Sequence, residues 1–132
     1  MNVTFFDQQD ESNAANGSVI ADSEELSRLL DSLRTRSPFL AELIGANGYI
    51  LVVGIGGPVG CVQYSRLDGS PPYLVAVAPN PIADDKYIEF LIGNTPTPIP
   101  VRHILPFEKV KEIARCFQET GVHSAAVSWE EV

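Results

Sequence analysis

The clearest hydrophobic pattern lies in the last quarter of the chain, where helical spacing gives way to strand spacing. Apolar residues recur at steps of three, four and three positions, at Phe107, Val110, Ala114 and Phe117. This spacing predicts an amphipathic helix with one apolar face. Pro106 suits its first position, because proline has no N–H to leave unpaired there. Gly121 suits the left-handed residue that ends a helix.

After His123 the apolar spacing changes to two, which is typical of a strand. Ala125, Val127 and Trp129 then share one face of this C-terminal strand, and Glu130 faces the other way. We interpret Trp129 as a residue that packs the sheet. Phe117 and Gly121 are structural in the same sense.

A second helix is predicted over residues 23–35. Its apolar residues fall at i, i+3, i+4 and i+7, and they are Leu26, Leu29, Leu30 and Leu33. Asp22 followed by Glu25 resembles a capping box at its N-terminus.

The remaining apolar runs predict strands. They cover residues 2–6, 19–20, 49–55, 59–66, 73–78 and 86–92, and the last four form an antiparallel meander. Residues 37–44 have helical spacing without a clear assignment. Residues 94–100 contain three prolines and are predicted to be an irregular surface crossing, followed by a brief extended piece over 101–105.

These elements predict a single α+β domain over residues 1–132. Its sheet is mostly antiparallel with about five or six strands, and the two main helices cover one face. With 132 residues and 45% hydrophobic content, the chain is long enough to bury its own core.

The net charge of -8, from 17 acidic and 9 basic residues, changes the range of expected partners. An acidic surface opposes binding to nucleic acid and to anionic membranes, and it favours a basic partner. The N-terminal residues do not show the basic start and long apolar run of a signal peptide. No apolar segment approaches the length of about 20 residues that a membrane span needs. We therefore expect a cytoplasmic protein.

The glycine-rich run GIGGPVG at residues 54–60 invites comparison with a phosphate-binding loop. Such a loop needs a helix N-terminus after the glycines, and here a strand follows. A hairpin turn is the better interpretation.

The cysteines and histidines do not suggest a cofactor or a metal site. Cys61 and Cys116 are the only cysteines, and we interpret both as buried reduced thiols. His103 and His123 lack further ligands at metal-binding spacing. A Cys–His nucleophile pair stays open, although Cys116 lies beside the apolar face of its helix. The sequence therefore predicts no enzyme, no cofactor and no metal.

Two pairs of adjacent acids are candidates for a carboxylate site. Asp84 and Asp85 lie in a predicted loop and suit a solvated turn. Glu130 and Glu131 are neighbours on a strand and point to opposite faces, so they do not form a carboxylate pair.

Several collinear pieces of the chain resemble bacterial immunity proteins of the Imm-one family. They are PPYLVAVAP, YIEFLIGNTPTPIPVRHILPF, CFQETG and AVSWEEV, together with the leucine-rich first helix and the glycine-rich hairpin. The spacing of Phe117, Thr120, Gly121 and Trp129 also agrees. The resemblance runs over residues 23–132, and residues 1–22 carry little of it.

The resemblance implies a non-catalytic α+β domain that binds a cognate toxin, often a nucleic-acid deaminase or nuclease, and blocks its active site. We expect the toxin to be basic and the contact to use exposed acidic and aromatic residues near strand ends and loops. These residues are Asp68, Asp84, Asp85, Tyr87, Glu89, Glu130 and Glu131.

Two alternatives remain open from the sequence. One is a self-associating structural or regulatory domain that forms a homodimer through an exposed edge or face of its sheet. The other is an enzyme with a site in a loop near His103 or Cys61.

Overall fold

A computed structural model describes residues 1–79 and 86–132 of the protein, and within these ranges the fold is α+β. The described residues form two α-helices and ten strands, with a short 3-10 helix at Val101–His103. In chain order they are β1 (Val3–Asp7), β2 (Val19–Ile20), α1 (Ser23–Leu33), β3 (Phe39–Gly45), β4 (Tyr49–Gly56), β5 (Val59–Arg66), β6 (Leu74–Val77), β7 (Tyr87–Ile92), β8 (Thr95–Pro100), β9 (Leu105–Pro106), α2 (Phe107–Thr120) and β10 (Ser128–Glu131).

The strands form one sheet whose main path runs β10-β6-β5-β4-β3-β1-β2, with every neighbouring pair antiparallel. β9 pairs with β5, and β7 joins β3 in parallel through the single register pair Phe39 and Leu91. The α+β class and the antiparallel sheet are confirmed. The expected count of five or six strands is wrong, because the unassigned β3, the hairpin partner β8 and the short strands β2 and β9 also pair.

The predicted four-strand meander is correct for β4, β5 and β6 only. β7 does not continue beside β6, and it pairs instead with β8 and touches β3. Phe90 on β7 is fully buried against Leu40 of β3 and Cys61 of β5. The burial of Phe90 on the sheet face away from the helices therefore decides where β7 lies.

Within residues 94–100, Thr95–Pro100 form strand β8, so the predicted irregular crossing is wrong. Its prolines stand at 96, 98 and 100, so every second residue keeps an amide that can bond β7. β8 has β7 as its neighbour in the sheet. Proline is compatible with such an edge position, because its missing N–H faces away from the ladder.

The unassigned stretch 37–44 is mostly strand β3, and it pairs with both β1 and β4. Phe39, Ala41 and Leu43 are fully buried on one face. Glu42 and Ile44 lie on the opposite face and are half-buried. Because Leu40 and Ile44 on this second face are also apolar, the stretch lacks the alternation typical of a half-buried strand and its apolar spacing resembles that of a helix.

The helices agree with their predictions to within two residues. Asp22 caps α1, accepting a hydrogen bond from the amide of Glu25 at 2.8 Å. α2 begins at Phe107, with Pro106 at the capping position just before it. Differences of one or two residues at a helix end are normal.

The C-terminal strand is shorter than predicted. β10 begins at Ser128, while Ala125 and Ala126 are exposed in a turn. The predicted extended piece over 101–105 is mostly the 3-10 helix, followed by β9. The first deviation lies where the chain leaves α2 and turns towards the sheet, and the second lies where the chain passes from β8 to α2.

The main core lies between the helix layer and one face of the sheet. The side chains of α2 that face the sheet are at most 1% exposed, and they are Phe107, Val110, Ile113, Ala114 and Phe117. α2 contacts β4 and β5, and α1 packs beside it with Leu26 and Leu30 fully buried. A smaller cluster around Leu40, Cys61 and Phe90 lies on the other face, under the β7–β8 hairpin.

The N-terminal loop is tied to the body by the buried carboxylate of Asp7. Arg36 donates to it at 2.6 Å, and Asn13 and the amides of Gln9 and Asp10 donate at 2.8 to 3.0 Å. Burial raises the pKa of Asp7, but the Arg36 guanidinium and the other donors outweigh this and hold the pKa below its usual value.

Gly121 ends α2 in the left-handed conformation, with φ of 77°, as predicted. Its amide donates to the Phe117 carbonyl at 2.7 Å. Its own carbonyl accepts from the side chains of Asn47 at 2.8 Å and Tyr64 at 3.3 Å. The end of α2 is thereby fixed to the β3–β4 turn and to β5.

We predict that Gly121→Ala lowers the free energy of unfolding by about 2–3 kcal/mol. A left-handed alanine costs about 1–2 kcal/mol. In addition, the new methyl would lie 2.6 Å from the Asn47 amide and displace a hydrogen bond that contributes about 1 kcal/mol. Urea unfolding of both proteins measures the difference.

Gly17→Ala is the matched control for this measurement. Gly17 has φ of 83° and no atom within 4 Å of the added methyl, so it loses only the backbone term. Equal losses at both positions would show that the Asn47 contact adds nothing.

Candidate interaction surface

The structure places four of the seven expected contact residues at exposed positions. Tyr87, which is 55% exposed, and Glu89 project outward from β7. Glu131 is exposed on β10, and Asp68 is exposed in the turn between β5 and β6. Asp84 and Asp85 lie outside the described residues.

Asp68 organises its own turn. Its carboxylate accepts hydrogen bonds from the hydroxyl of Ser70 at 2.6 Å and from the amide of Ser70 at 2.9 Å. These two donors lower the pKa of Asp68. The side chain is therefore ionised and held in place at a loop tip.

Glu130 differs from the other expected contact residues because it already binds two side chains. It is half-buried, and its carboxylate lies 2.5 Å from His103 Nε2 and 2.6 Å from Arg102 Nη2. The hydrogen bond to His103 and the Arg102 charge lower the pKa of Glu130. This network ties β10 to the 3-10 helix, which leaves the Glu130 carboxylate less available to a partner.

Trp129 contributes to an aromatic cluster at the sheet edge. Tyr64 lies at its centre, with ring centroids 4.9 Å from Tyr49, 6.0 Å from Phe117, 5.0 Å from His123 and 6.5 Å from Trp129. The Trp129 indole N–H donates to the Ser124 carbonyl at 2.8 Å. These contacts support the structural interpretation of Trp129 and Phe117, which stays a prediction.

The charges of the helix layer are largely paired with one another. Lys111 lies 2.9 Å from Asp31, Arg115 lies 3.2 Å from Glu24, and Lys109 lies 3.0 Å from Glu112. Within the described parts of the chain, several acids on the strands and their turns form no ion pair, and they include Asp10, Glu11, Glu42, Asp68, Glu89 and Glu131. Much of the unbalanced negative charge therefore lies on the sheet side of the molecule.

The sheet face that points away from the helices was not predicted from the sequence as a surface. One end of this face is covered by the β7–β8 hairpin, and the rest is uncovered within residues 1–79 and 86–132. We call this uncovered part the open sheet face. Its residues are Thr4, Phe6, Glu42, Ile44, Ile50, Val52, Gln63 and Val75, which the strand register brings together. The sequence signal for this face is that Leu40, Glu42 and Ile44 stand at every second position, as side chains on one face of a strand do. The helical interpretation of residues 37–44 hid it.

The two cysteines differ from each other, which corrects the expectation that both are buried. Cys61 is 6% exposed, and burial raises the pKa of its thiol to about 12. Cys116 is partly exposed and lines a shallow groove on α2 with Arg115 and Glu119. Successive residues of a helix are rotated by about 100° around its axis, so Cys116 lies about 100° from Phe117. This places Cys116 at the border of the apolar face of α2.

The residues in 1–79 and 86–132 contain no group of three histidine, cysteine or acidic side chains that could hold a metal ion. His103 lies near Glu130, and His123 contacts aromatic rings. None of the helices described is long and apolar enough to cross a membrane.

The family model described as Immunity protein Imm1 matches residues 14–131, nearly the whole chain. This is the Imm-one family that the sequence resembles, and the match starts at residue 14 rather than at 23. A comparison with curated proteins gives no match.

We predict that thiol alkylation of the folded protein at pH 8 modifies Cys116 and spares Cys61. Cys116 is accessible, whereas Cys61 is buried with a pKa about four units above that pH. Iodoacetamide labelling followed by peptide mass analysis measures both sites. In Cys116→Ser the rapid labelling is expected to disappear and to return at Cys61 only in urea. Rapid labelling of Cys61 in the native protein would contradict its burial.

Proposed function

Because the chain belongs to the Immunity protein Imm1 family, we propose that it neutralises a cognate bacterial toxin that acts on nucleic acid, as a deaminase or a nuclease. It acts by binding the toxin and blocking its active site, without catalysis of its own. Since such a toxin reaches its substrate inside the cell, the complex forms in the cytoplasm.

The observation that supports this proposal is the unbalanced negative charge on the sheet side. The protein has a net charge of -8, and the cations on α2 are engaged by acids of the helix layer. A protein that acts on nucleic acid needs a basic cleft to bind phosphates. An acidic inhibitor would be steered to that cleft and would occupy the place of the substrate backbone.

We assign the steering role to the exposed acids and aromatics of the strand ends and turns. Asp68, Glu89 and Glu131 are exposed and form no ion pair with described residues, and Tyr87 offers an exposed aromatic ring beside Glu89. Glu130 takes part more weakly, because Arg102 and His103 already engage it. Asp84 and Asp85 join this group on the basis of the sequence.

Self-association is the second candidate function, and one feature favours it. β10 is the last strand on its side of the sheet, and among the described strands its neighbour is β6 alone. A free strand edge is a template for pairing with a second copy. In that case the homodimer, rather than a toxin complex, would be the functional unit.

The proposal predicts that co-expression with the product of the adjacent upstream gene restores growth and yields a complex that co-purifies. Growth curves and size-exclusion chromatography of the co-expressed pair are the measurements. A folded protein that neither rescues growth nor binds, and that elutes as a dimer, would favour self-association. Rescue without a complex would point to an enzyme and contradict the binding mechanism.

The acidic surface leads to a kinetic prediction. Asp68→Lys and Glu89→Lys each slow association with the toxin by about 3- to 10-fold at low salt, because steering depends on long-range charge. The effect shrinks at 0.5 M salt, where screening is strong. Stopped-flow or surface-binding kinetics at two salt concentrations measure it.

Glu119→Lys is the control, because it makes the same change in net charge on the exposed side of α2. If Glu119→Lys slows association as much as Glu89→Lys, the net charge acts alone and the strand-end acids have no special role.

A further inference from the structure

The open sheet face is an apolar surface that the fold leaves uncovered. Phe6 is 39% exposed, and Ile44, Ile50, Val52 and Val75 are each partly exposed. The register places Phe6, Glu42, Val52, Gln63 and Val75 in one row across five strands. Thr4, Ile44 and Ile50 form the next row, and Val19 on β2, 57% exposed, extends it beside Thr4.

The width of this surface suits the centre of a protein interface. It spans six strands from β2 to β6, which is about 24 Å at a usual strand spacing of about 4.8 Å. A standard interface buries about 800 Å² on each partner and surrounds an apolar centre with a polar rim. Contiguous exposed apolar surface with a polar rim is typical of an interaction site.

Glu42 places a carboxylate inside this apolar row. It lies between Phe6 on β1 and Val52 on β4 in the register, and it is half-buried. Its carboxylate accepts a hydrogen bond from the neutral side-chain amide of Gln8 and forms no ion pair with any described residue. The other residues of the open sheet face include no lysine or arginine.

A small cavity opens at one end of the same row. Its volume is about 90 Å³, and its walls include Val52, Gln63, Val75 and Ile99. Leu40, Cys61 and His103 also line it, and most of its lining residues are apolar. Anchor side chains in such pockets supply much of the binding energy of protein interfaces.

We propose that the open sheet face is the surface that binds the toxin, with Glu42 pairing with a lysine or arginine of the toxin. An apolar side chain of the toxin fills the cavity beside Val52. This inference rests on the proposed function and specifies which surface performs it. The exposed acids of the strand ends then guide the approach, while the open sheet face holds the complex together.

Charge selects a basic partner over a second copy of the chain. In a two-fold homodimer the same patch meets itself, so each Glu42 would be buried against a face whose residues include no lysine or arginine. A buried carboxylate without a cation is strongly unfavourable. Two copies would also each bring a net charge of -8. A toxin surface with one cation among apolar side chains would pair with the Glu42 carboxylate and cover the apolar residues of the two rows.

The test measures binding of purified variants to an inactive form of the upstream gene product. Glu42→Arg should raise Kd by about 100-fold or more, because it replaces an attraction at a desolvated position by a repulsion. Glu42→Gln and Ile44→Gln should each raise Kd by about 10-fold, mostly through faster dissociation. Thermal unfolding of each variant checks that it is folded.

Two control variants match these changes on other surfaces. Glu119→Arg makes the same charge change as Glu42→Arg on α2, and Val122→Gln removes an apolar side chain that is 52% exposed beyond that helix. Both should keep Kd within about 3-fold of the original protein. If Glu42→Arg does not fold, Glu42→Gln and Ile44→Gln decide the question.

The outcomes separate the surface from the function. If the original protein binds and rescues while all variants bind equally well, the open sheet face is not the interface and the immunity function stands. If the original protein neither binds nor rescues, both proposals fail. If it forms a homodimer that Ile44→Gln dissociates, the occupant is a second copy and the basic partner is excluded.

Discussion

Burial of one face of α2 is the constraint on which the rest of the structure depends. Five of its side chains are at most 1% exposed, from Phe107 to Phe117. They cover β4 and β5, and α1 in turn packs beside α2. Gly121 then ends the helix where Asn47 and Tyr64 can bind its carbonyl. Because both helices lie on this one face, the β7–β8 hairpin and the adjoining Ile104 cover one end of the opposite face, and within residues 1–79 and 86–132 the rest of that face stays open.

The sequence predicts the parts of the fold whose pattern is local. The periods of α1, α2 and β5 and the continuous apolar run of β4 predict these four elements to within one or two residues. The position of β7 and the presence of β8 were not predicted, because they depend on contacts between distant residues. Phe39 pairs with Leu91, and the prolines of β8 are acceptable only because that strand lies at an edge. Composition carries no signal for either condition.

The candidate site was predictable one residue at a time but not as a surface. Exposed acids such as Asp68 and Glu89 stand out in the sequence, and the structure leaves both exposed. Glu130 stands out equally, yet His103 and Arg102, 27 and 28 residues away, engage its carboxylate. Glu42 was missed because its neighbours suggested a helix. Only the strand register shows that it shares a face with Phe6 and Val52.

The arrangement of charge separates two tasks that an inhibitor of this kind must perform. Exposed acids act over about one Debye length, near 8 Å at physiological salt, so they influence how fast a basic partner arrives. A half-buried carboxylate acts only at contact, where water is removed. There its attraction to a cation is strong, and leaving it without a cation is strongly unfavourable. The helix layer pairs most of its own charges and is suited to neither task. The sheet side has unpaired acids at its turns and Glu42 within its apolar row, so the same surface can attract a basic partner and then discriminate against one that lacks the matching cation.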